Sequence, residues 1–554
     1  MKFWCKGRSP KPRSRLAGGL LGGALILAGE GIDPTTALGN PAPKNPTLAI
    51  GIVQRFGTEG GDRLELAALP GDRLTVSFTD GQGRSRNLAV QTLAVTVGSV
   101  PLPTAQLDER LVLGTYRSFE TAEAAAQTWR GRGIAVEIAQ PSDQWQVWAD
   151  RSAYGTPLLR RMLYDSLEPL RQAPDHGIVL TSRSQTQRPL ARWTVGNETF
   201  QGDRLAVSAG QGVVRVGGDR FAGRLRLQPN AYGTYSLVND VPLETYLRGV
   251  VPYEIGPGAP NAALEAQTIV ARTYTLRNLR RFAIDDYELC ADTHCQVYRG
   301  LGAATARTDG AIAATRGRVM VYGDELIDAL YFSTSGGVTA AFESVWDGPN
   351  RPYLRPVIDA AGPLWDLAAR PLNNEQNLRQ FLSLTQGFNE VGWRDFRWRR
   401  EGTLESLADT LKRYLARRNH PLANFQRLER LTVRDRAIGG RIQTLIATTD
   451  RGEVAIEKDA VRAALMPPRS SLFYLDPIER TNPDGSRTLT GYRFVGGGWG
   501  HGVGLSQAGS HRLANLGWNA DRILRFYYPG AAPVPLTDAL VYWRDPTTPP
   551  TTTP

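Results

Sequence analysis

Long hydrophobic runs are missing from this chain. Its most apolar stretch, LAGGLLGGALILAG at residues 16–29, is shorter than the roughly 20 residues that cross a bilayer as a helix. Hydrophobic residues make up 41% and charged residues 21% of the chain, near the globular average, so neither a polytopic membrane protein nor a disordered chain fits. Cysteine is nearly absent. Of three, Cys5 precedes the apolar stretch and none follows it at once as a lipid-anchoring cysteine would, which leaves Cys290 and Cys295. No acid occurs before Glu30, whereas six bases do, and they carry six of the +11 formal charges. The remaining +5 is spread without a Lys/Arg stripe interleaved with aromatics, which argues against a nucleic-acid partner. A Gly-Lys-Ser/Thr phosphate loop and a His-x3-His zinc pair are also lacking.

What is present begins with that basic run and short apolar core, the pattern of an export signal. It predicts an extracytoplasmic protein, in the periplasm or cell wall, secreted or anchored by its N-terminal segment, with membrane contact only where the leader is retained. No small-x-small cleavage site follows. Residues 1–45 are this segment and a Pro-rich spacer, and 46–102 alternate as short strands between Gly-rich turns. Residues 103–175 read as β-α-β-β-α, either a functional module or a structural insert. Residues 176–535 form the largest domain, with a structural lobe at 371–477, and 536–554, ending DPTTPPTTTP, read as a disordered tail. The fold class is α+β and multi-lobed, with mixed strands and helices forming a cleft.

The candidate chemistry starts in GVVPYEIGPG, where Glu254 sits between apolar residues and a Gly/Pro turn. Apolar flanks raise a carboxyl's pKa, and a carboxyl protonated near neutrality serves as a general acid. A helix cap or an arginine partner is the plainer alternative. A helix follows from about Asn261 to Phe282. Its Ala262, Ala266, Ile269, Thr273 and Leu276 form an apolar stripe, and Glu265, Thr268, Arg272 and Thr275 form a polar one beside it, fit for a cleft wall or a solvated face. The glycine-rich GGGWGHGVGLSQAGS at 496–510 allows close backbone approach. It also offers Trp499 as a sugar-stacking face or a core residue, and His501 toward the same space. Ser506 and Gln507 start the next helix.

Three blocks together carry a resemblance: GVVPYEIGPGAPNAALEAQTIVARTYTLRN, DTHCQVYRG followed by YFSTSGGVTAAFESVW, and GGGWGHGVGLSQAGSHRLANLGWNADRILRFYYPG. In residue type, order and spacing the chain resembles the SpoIID/LytB family over roughly 195–535. GTYRS before an Ala-rich helix resembles SPOR modules, which bind peptide-free peptidoglycan glycan, giving a small βαββα (SPOR-like) unit. The resemblance implies a glycan-binding cleft and a lytic transglycosylase of denuded glycan strands, or alternatively a non-catalytic, glycan-binding enhancer of a cell-wall amidase. Its implied partners are peptidoglycan glycan strands and a cell-wall amidase. Carried over by position, Glu254 and Arg272 are the catalytic candidates, and Ser335, Trp499, His501, Ser506 and Gln507 the substrate-binding ones. One acid suffices if the sugar's own 6-hydroxyl attacks to give a 1,6-anhydro product, whereas hydrolysis needs a second carboxylate, for which Asp292, Glu343 and Asp347 are candidates. Glu265 stands where the family commonly has Lys, a charge reversal that would disturb the cleft if it paired with Arg272. No cofactor is required. Cys290, His294 and Cys295 offer three ligands of a structural zinc site, a Cys290–Cys295 disulfide, or free thiols.

Overall fold

The computed structural model describes residues 44–59, 61–171, 177–418 and 420–545. All but the last two residues of the expected export segment and spacer at 1–45, and the chain end beyond 545, lie outside the described residues. The architecture is α+β and multi-lobed, as the sequence predicts. Among the described residues, no helix is long and apolar enough to cross a membrane.

Two sheets start the fold. A seven-stranded sheet runs, in spatial order, through Leu289–Cys290, Thr47–Phe56, Tyr235–Pro242, Arg224–Pro229, Leu205–Ala209, Leu74–Thr79 and Ser85–Val90. Alternation writes these strands: Leu74, Val76 and Phe78 point inward, while Thr75 and Thr79 face solvent. The eight-stranded sheet is organised by the long strand Thr92–Tyr116, paired antiparallel with Val179–Val195 from Ala94 opposite Thr194 to Val112 opposite Val179.

The β-α-β-β-α order read at 103–175 is present. It comprises the end of that long strand, the helix Phe119–Gly131, the strands Val136–Ala139 and Trp145–Ala149, and the helix Pro157–Ser166. Ser118 caps the first helix by accepting the Thr121 N–H, and Thr156 caps the second through Leu159. These elements do not make a separate module. Trp145–Ala149 hydrogen-bonds into the large sheet, and Phe119, Trp145, Phe282 and Tyr287 form a chain of ring contacts at 5.1, 5.0 and 4.9 Å, so the insert shares one core with the rest.

At the centre lies the helix Asn261–Arg277, shorter at its end than expected, with Pro260 in the cap position. It is not amphipathic in use. Ala263, Leu264 and every residue from Ala266 to Arg277 are buried, including the predicted polar stripe, and only Glu265 of that stripe keeps partial exposure. Burial of the threonines is tolerated because Thr268, Thr273 and Thr275 donate to the carbonyls of Leu264, Ile269 and Ala271 one turn earlier, at 2.7–2.8 Å.

The lobe expected at 371–477 has its own apolar core around Leu411, Phe425, Leu445, Ile456, Phe473 and Phe494. It extends to Gly496, because Arg487–Gly496 pairs with both Phe473–Thr481 and Trp398–Thr403. Residues 536–545, read as the start of a tail, are tied down: Leu536 is buried, its N–H reaches the Gly317 carbonyl at 2.7 Å, and Arg544 pairs with Asp324.

Candidate functional site

Glu254 ends the short helix Val251–Glu254 and is half-buried. Its Oε1 accepts the Val297 N–H at 2.7 Å, Tyr331 and Gln507 also hydrogen-bond the carboxyl, and Gln507 Nε2 donates to the Glu254 carbonyl at 3.0 Å. Burial pushes the carboxyl's pKa up and outweighs these three donors, each of which favours the ionised form.

The carboxyl faces a pocket of about 410 Å³. Trp499, His501, Gln507 and His294, all named from sequence, line it with Glu254. Trp499 is 41% exposed, so its ring is an open face rather than core, and the Arg469 guanidinium lies 5.0 Å from its centroid. His501 packs against Trp346 and Phe332 at 4.9 and 5.6 Å, and burial lowers its pKa to about 4, which keeps the imidazole neutral. The other acid lining this pocket is Glu120, which is held by Arg281. Asp292 lines a different pocket, Asp347 is bound by Lys458 at 2.6 Å and Glu343 is exposed, so none of the three faces Glu254 here. Glu254 is the pocket's unpaired carboxyl.

Arg272 is placed elsewhere. Its guanidinium is fully buried, donates to both oxygens of Glu244 at 2.8 Å and to the Arg318 carbonyl at 3.1 Å, and does not line the pocket. The role of holding Glu254 or substrate is corrected to a structural one: the fork joins the central helix to the helix Leu243–Arg248. Glu265 does not pair with Arg272. It faces Arg318 and Asp521 and lies outside the pocket, so the charge reversal leaves the pocket undisturbed.

Ser335 and Ser506 are fully buried and do not line the pocket. They belong to a closed polar cluster behind the glycine loop. Ser506 Oγ donates to Glu390 Oε1 at 2.6 Å and caps the helix Gln507–Asn515 by accepting the Gly509 N–H at 3.0 Å. The N–H groups of Ser335 and Gly336 also bind the Glu390 carboxyl. Ser335 Oγ, Tyr527 Oη and Asn389 Nδ2 donate to Asp359 at 3.0, 2.8 and 2.9 Å. Two carboxyls buried together cannot both ionise cheaply, and burial with Asp359 alongside raises the Glu390 pKa to about 8. The glycines permit this closeness: at Gly498, φ is +85° and an added Cβ would lie 2.7 Å from the Ser335 carbonyl carbon.

Cys290 and Cys295 are joined as a disulfide with Cα atoms 5.6 Å apart. Of the three states the sequence leaves open, this structure holds the disulfide, in which the bonded sulfurs are not thiolates. Among the described residues no group of three or more His, Cys, Asp or Glu is arranged to hold a metal. The disulfide closes the loop carrying Thr293 and His294 into the pocket, and two residues later comes the Val297 N–H that binds Glu254.

Sequence reasoning missed Arg117, Glu120, Tyr274, Arg281, Tyr331 and Trp346, all lining the pocket. Tyr274, Tyr331 and Trp346 lie inside the quoted blocks and were legible there as motif members without a role. Arg117 belongs to the quoted GTYRS and was legible there without a role, while Glu120 opens the Ala-rich helix and carries no signal of its own.

Comparison with known proteins matches residues 231–322 to a family described as Stage II sporulation protein and residues 340–504 to a domain of unknown function, DUF8618. The chain is 27% identical over 298 residues to a Bacillus subtilis protein named amidase enhancer, covering 51% of this chain and 39% of that one. It is 23% identical over 308 residues to the Bacillus subtilis Stage II sporulation protein D, covering 53% of this chain and 74% of that one. An uncharacterized protein of Brachyspira hyodysenteriae is 24% identical over 314 residues, covering 54% of this chain and 68% of its own. Low-identity similarity to the SpoIID and amidase-enhancer proteins is therefore established, while the chain spans well under half of the amidase enhancer itself.

Proposed function

We propose that this is an extracytoplasmic peptidoglycan-binding protein whose Glu254 pocket holds a glycan strand and which promotes the action of a cell-wall amidase on that strand. The observation that carries the reading is an open pocket in which an exposed tryptophan face is combined with a lone unpaired carboxyl. Flat aromatic faces stack on sugar rings, and a few convergent polar groups orient them. Similarity to a protein named amidase enhancer supports the amidase link and places that reading ahead of the one preferred from sequence. The insert at 103–175 contributes one wall of the pocket, through Arg117 to Glu120 and Trp145.

A second reading, lytic transglycosylation, is favoured by one specific observation. Glu254 is half-buried, lacks an ion-pair partner, and has its pKa raised. A protonated Glu254 would protonate the glycosidic oxygen and then accept the proton of the sugar's 6-hydroxyl as it closes the 1,6-anhydro ring, general acid–base help worth about a hundred- to ten-thousandfold. Val297, Tyr331 and Gln507 would hold the carboxyl in place through both steps.

One experiment separates the two. The purified protein is incubated with peptide-free glycan strands, and soluble products are read by mass spectrometry alongside a binding measurement. Intact strands with binding, unchanged in Glu254→Gln, support the binding protein. Anhydro-ended fragments that vanish in Glu254→Gln establish the enzyme, and no binding by either protein removes both.

A further inference from the structure

The glycine loop is pinned to the lobe at one residue after another. The Gly497 N–H reaches the Leu472 carbonyl at 3.1 Å, and the Gly497 carbonyl accepts from Ser470 Oγ at 2.7 Å. The Gly498 N–H reaches the Asp395 carbonyl at 2.8 Å, and the Gly498 carbonyl accepts from Trp398 Nε1 at 2.9 Å. The Gly500 N–H reaches the Arg469 carbonyl at 3.2 Å. Between them Trp499 bonds to Thr334, outside the lobe, through its N–H at 2.9 Å and its carbonyl at 3.3 Å. Ordering glycine costs more conformational entropy than ordering any other residue, so this is an expensive loop on which to hold a side chain still.

Two of these anchors meet again beside the indole. Asp395 and Arg469, whose carbonyls hold Gly498 and Gly500, pair through Asp395 Oδ1 and Arg469 Nε at 3.0 Å. The same guanidinium lies 5.0 Å from the Trp499 ring centroid, within cation–π range. Trp499 is therefore bracketed by backbone on both sides and covered on one side of its ring by a cation that already has its counter-ion. The ring nevertheless stays open to the Glu254 pocket, which it lines and Arg469 does not.

Resting on the reading that Trp499 stacks on a sugar, we propose that Arg469 is a positioning residue: with Asp395 it fixes the indole so that a single ring face is presented to the pocket. Preorganising this stacking platform is then a function of the lobe, whose sequence shows no chemistry of its own. Arg469 touches no ligand in this arrangement. Its contribution is entropic, because an indole left free on a glycine loop has to be ordered by the ligand, and ordering a side chain on binding costs affinity. The planar guanidinium suits the task, since it stacks on the ring while its edge faces the Asp395 carboxylate.

The test uses the full chain and two readouts, one of them without ligand. Acrylamide quenching of Trp499 is isolated by subtracting the signal of the same protein carrying Trp499→Phe. In Arg469→Gln this quenching is expected to rise about twofold, because both ring faces are then open. Affinity for peptide-free glycan strands is expected to fall about threefold, the range for ordering one side chain. In a Trp499→Ala background the same Arg469→Gln change is expected to leave affinity alone, since a positioning residue acts only through the residue it positions. Arg469→Lys, which keeps a cation beside Asp395, is expected to recover most of the affinity. Asp395→Asn releases the guanidinium without changing volume, and Trp499 quenching is expected to rise there too, which covers the case in which Arg469→Gln does not fold. Unchanged Trp499 quenching in the folded variants overturns the proposal, and so does an affinity loss of equal size in the Trp499→Ala background. Failure of wild type to bind the strands removes the glycan reading of the pocket, while the ligand-free quenching still decides whether Arg469 holds the ring.

Discussion

Two regions of this molecule bury carboxyl groups whose partners Ser506 and Gln507 are neighbours in the chain, and they use them differently. At the Glu390–Asp359 cluster both acids are sealed, and every contact is supplied by the protein: backbone N–H groups, Ser335, Ser506, Tyr527 and Asn389. At Glu254 the donors are fewer and one side stays open to the pocket. Both acids have raised pKa values from burial, so the shift alone does not separate structural from functional carboxyls. Access does. The two regions are mechanically joined, because Ser506 caps the helix whose first residue, Gln507, grips the Glu254 carbonyl.

The sharpest way to break this comparison is to delete each acid and measure stability by urea unfolding. Glu390→Ala strands three buried donors and should cost at least about 3 kcal/mol, whereas Glu254→Ala, beside an open pocket, should change stability by about 1 kcal/mol or less. Equal losses would abolish the distinction. The next largest effect is at the disulfide: replacing Cys290 and Cys295 together by serine opens a loop with a sequence separation of 5. Loop-closure entropy sets the loss at about 2 kcal/mol. Glycan affinity should fall with it, since the loop positions Val297 against Glu254, and unchanged affinity would show that the loop does not hold the pocket.

Titration sharpens the contrast further. Glu390 keeps its proton in the folded state up to about pH 8, while its ordinary value is 4.5. Stability that is fully present below 4.5 should therefore decline as pH rises toward 8, and Glu390→Gln should flatten that decline. His501 works in the opposite window. Its folded value near 4 lies below the ordinary 6.5, so stability present above 6.5 should decline as pH falls toward 4, and His501→Gln should remove that acid limb. Melting temperatures across pH 4–9 for wild type and both variants check the two slopes. The smallest expected effect is Trp499→Ala, about 1 kcal/mol of glycan affinity with stability unchanged, because its ring is already exposed. A loss of stability instead would return Trp499 to the core.

Much of the local structure was legible. Ser118, Thr156 and Ser506 cap helices where short polar side chains precede apolar runs, and the glycine loop makes the close approach that its composition demands. The placement of Glu254, Trp499, His501 and Gln507 around one pocket followed from motif order. The helical wheel misled at Arg272. A period of 3.6 identifies residues sharing a face, yet a central helix has no solvent face, and the partner that claims Arg272 is Glu244, on another helix. Ser335 and Ser506 were singled out as substrate-binding, whereas the partners that bury them are Glu390, in the lobe, and Asp359, just ahead of it, neither of which stands in a motif.

By itself, then, the order of residues determined what short-range forces decide: strand alternation, helix caps and turns needing positive φ. Tertiary structure alone decided which acid is chemically available. Desolvation and charge pairing depend on distances in space, and the groups that set them at Glu254, namely Val297, Tyr331 and Gln507, arrive from three separate segments of the chain.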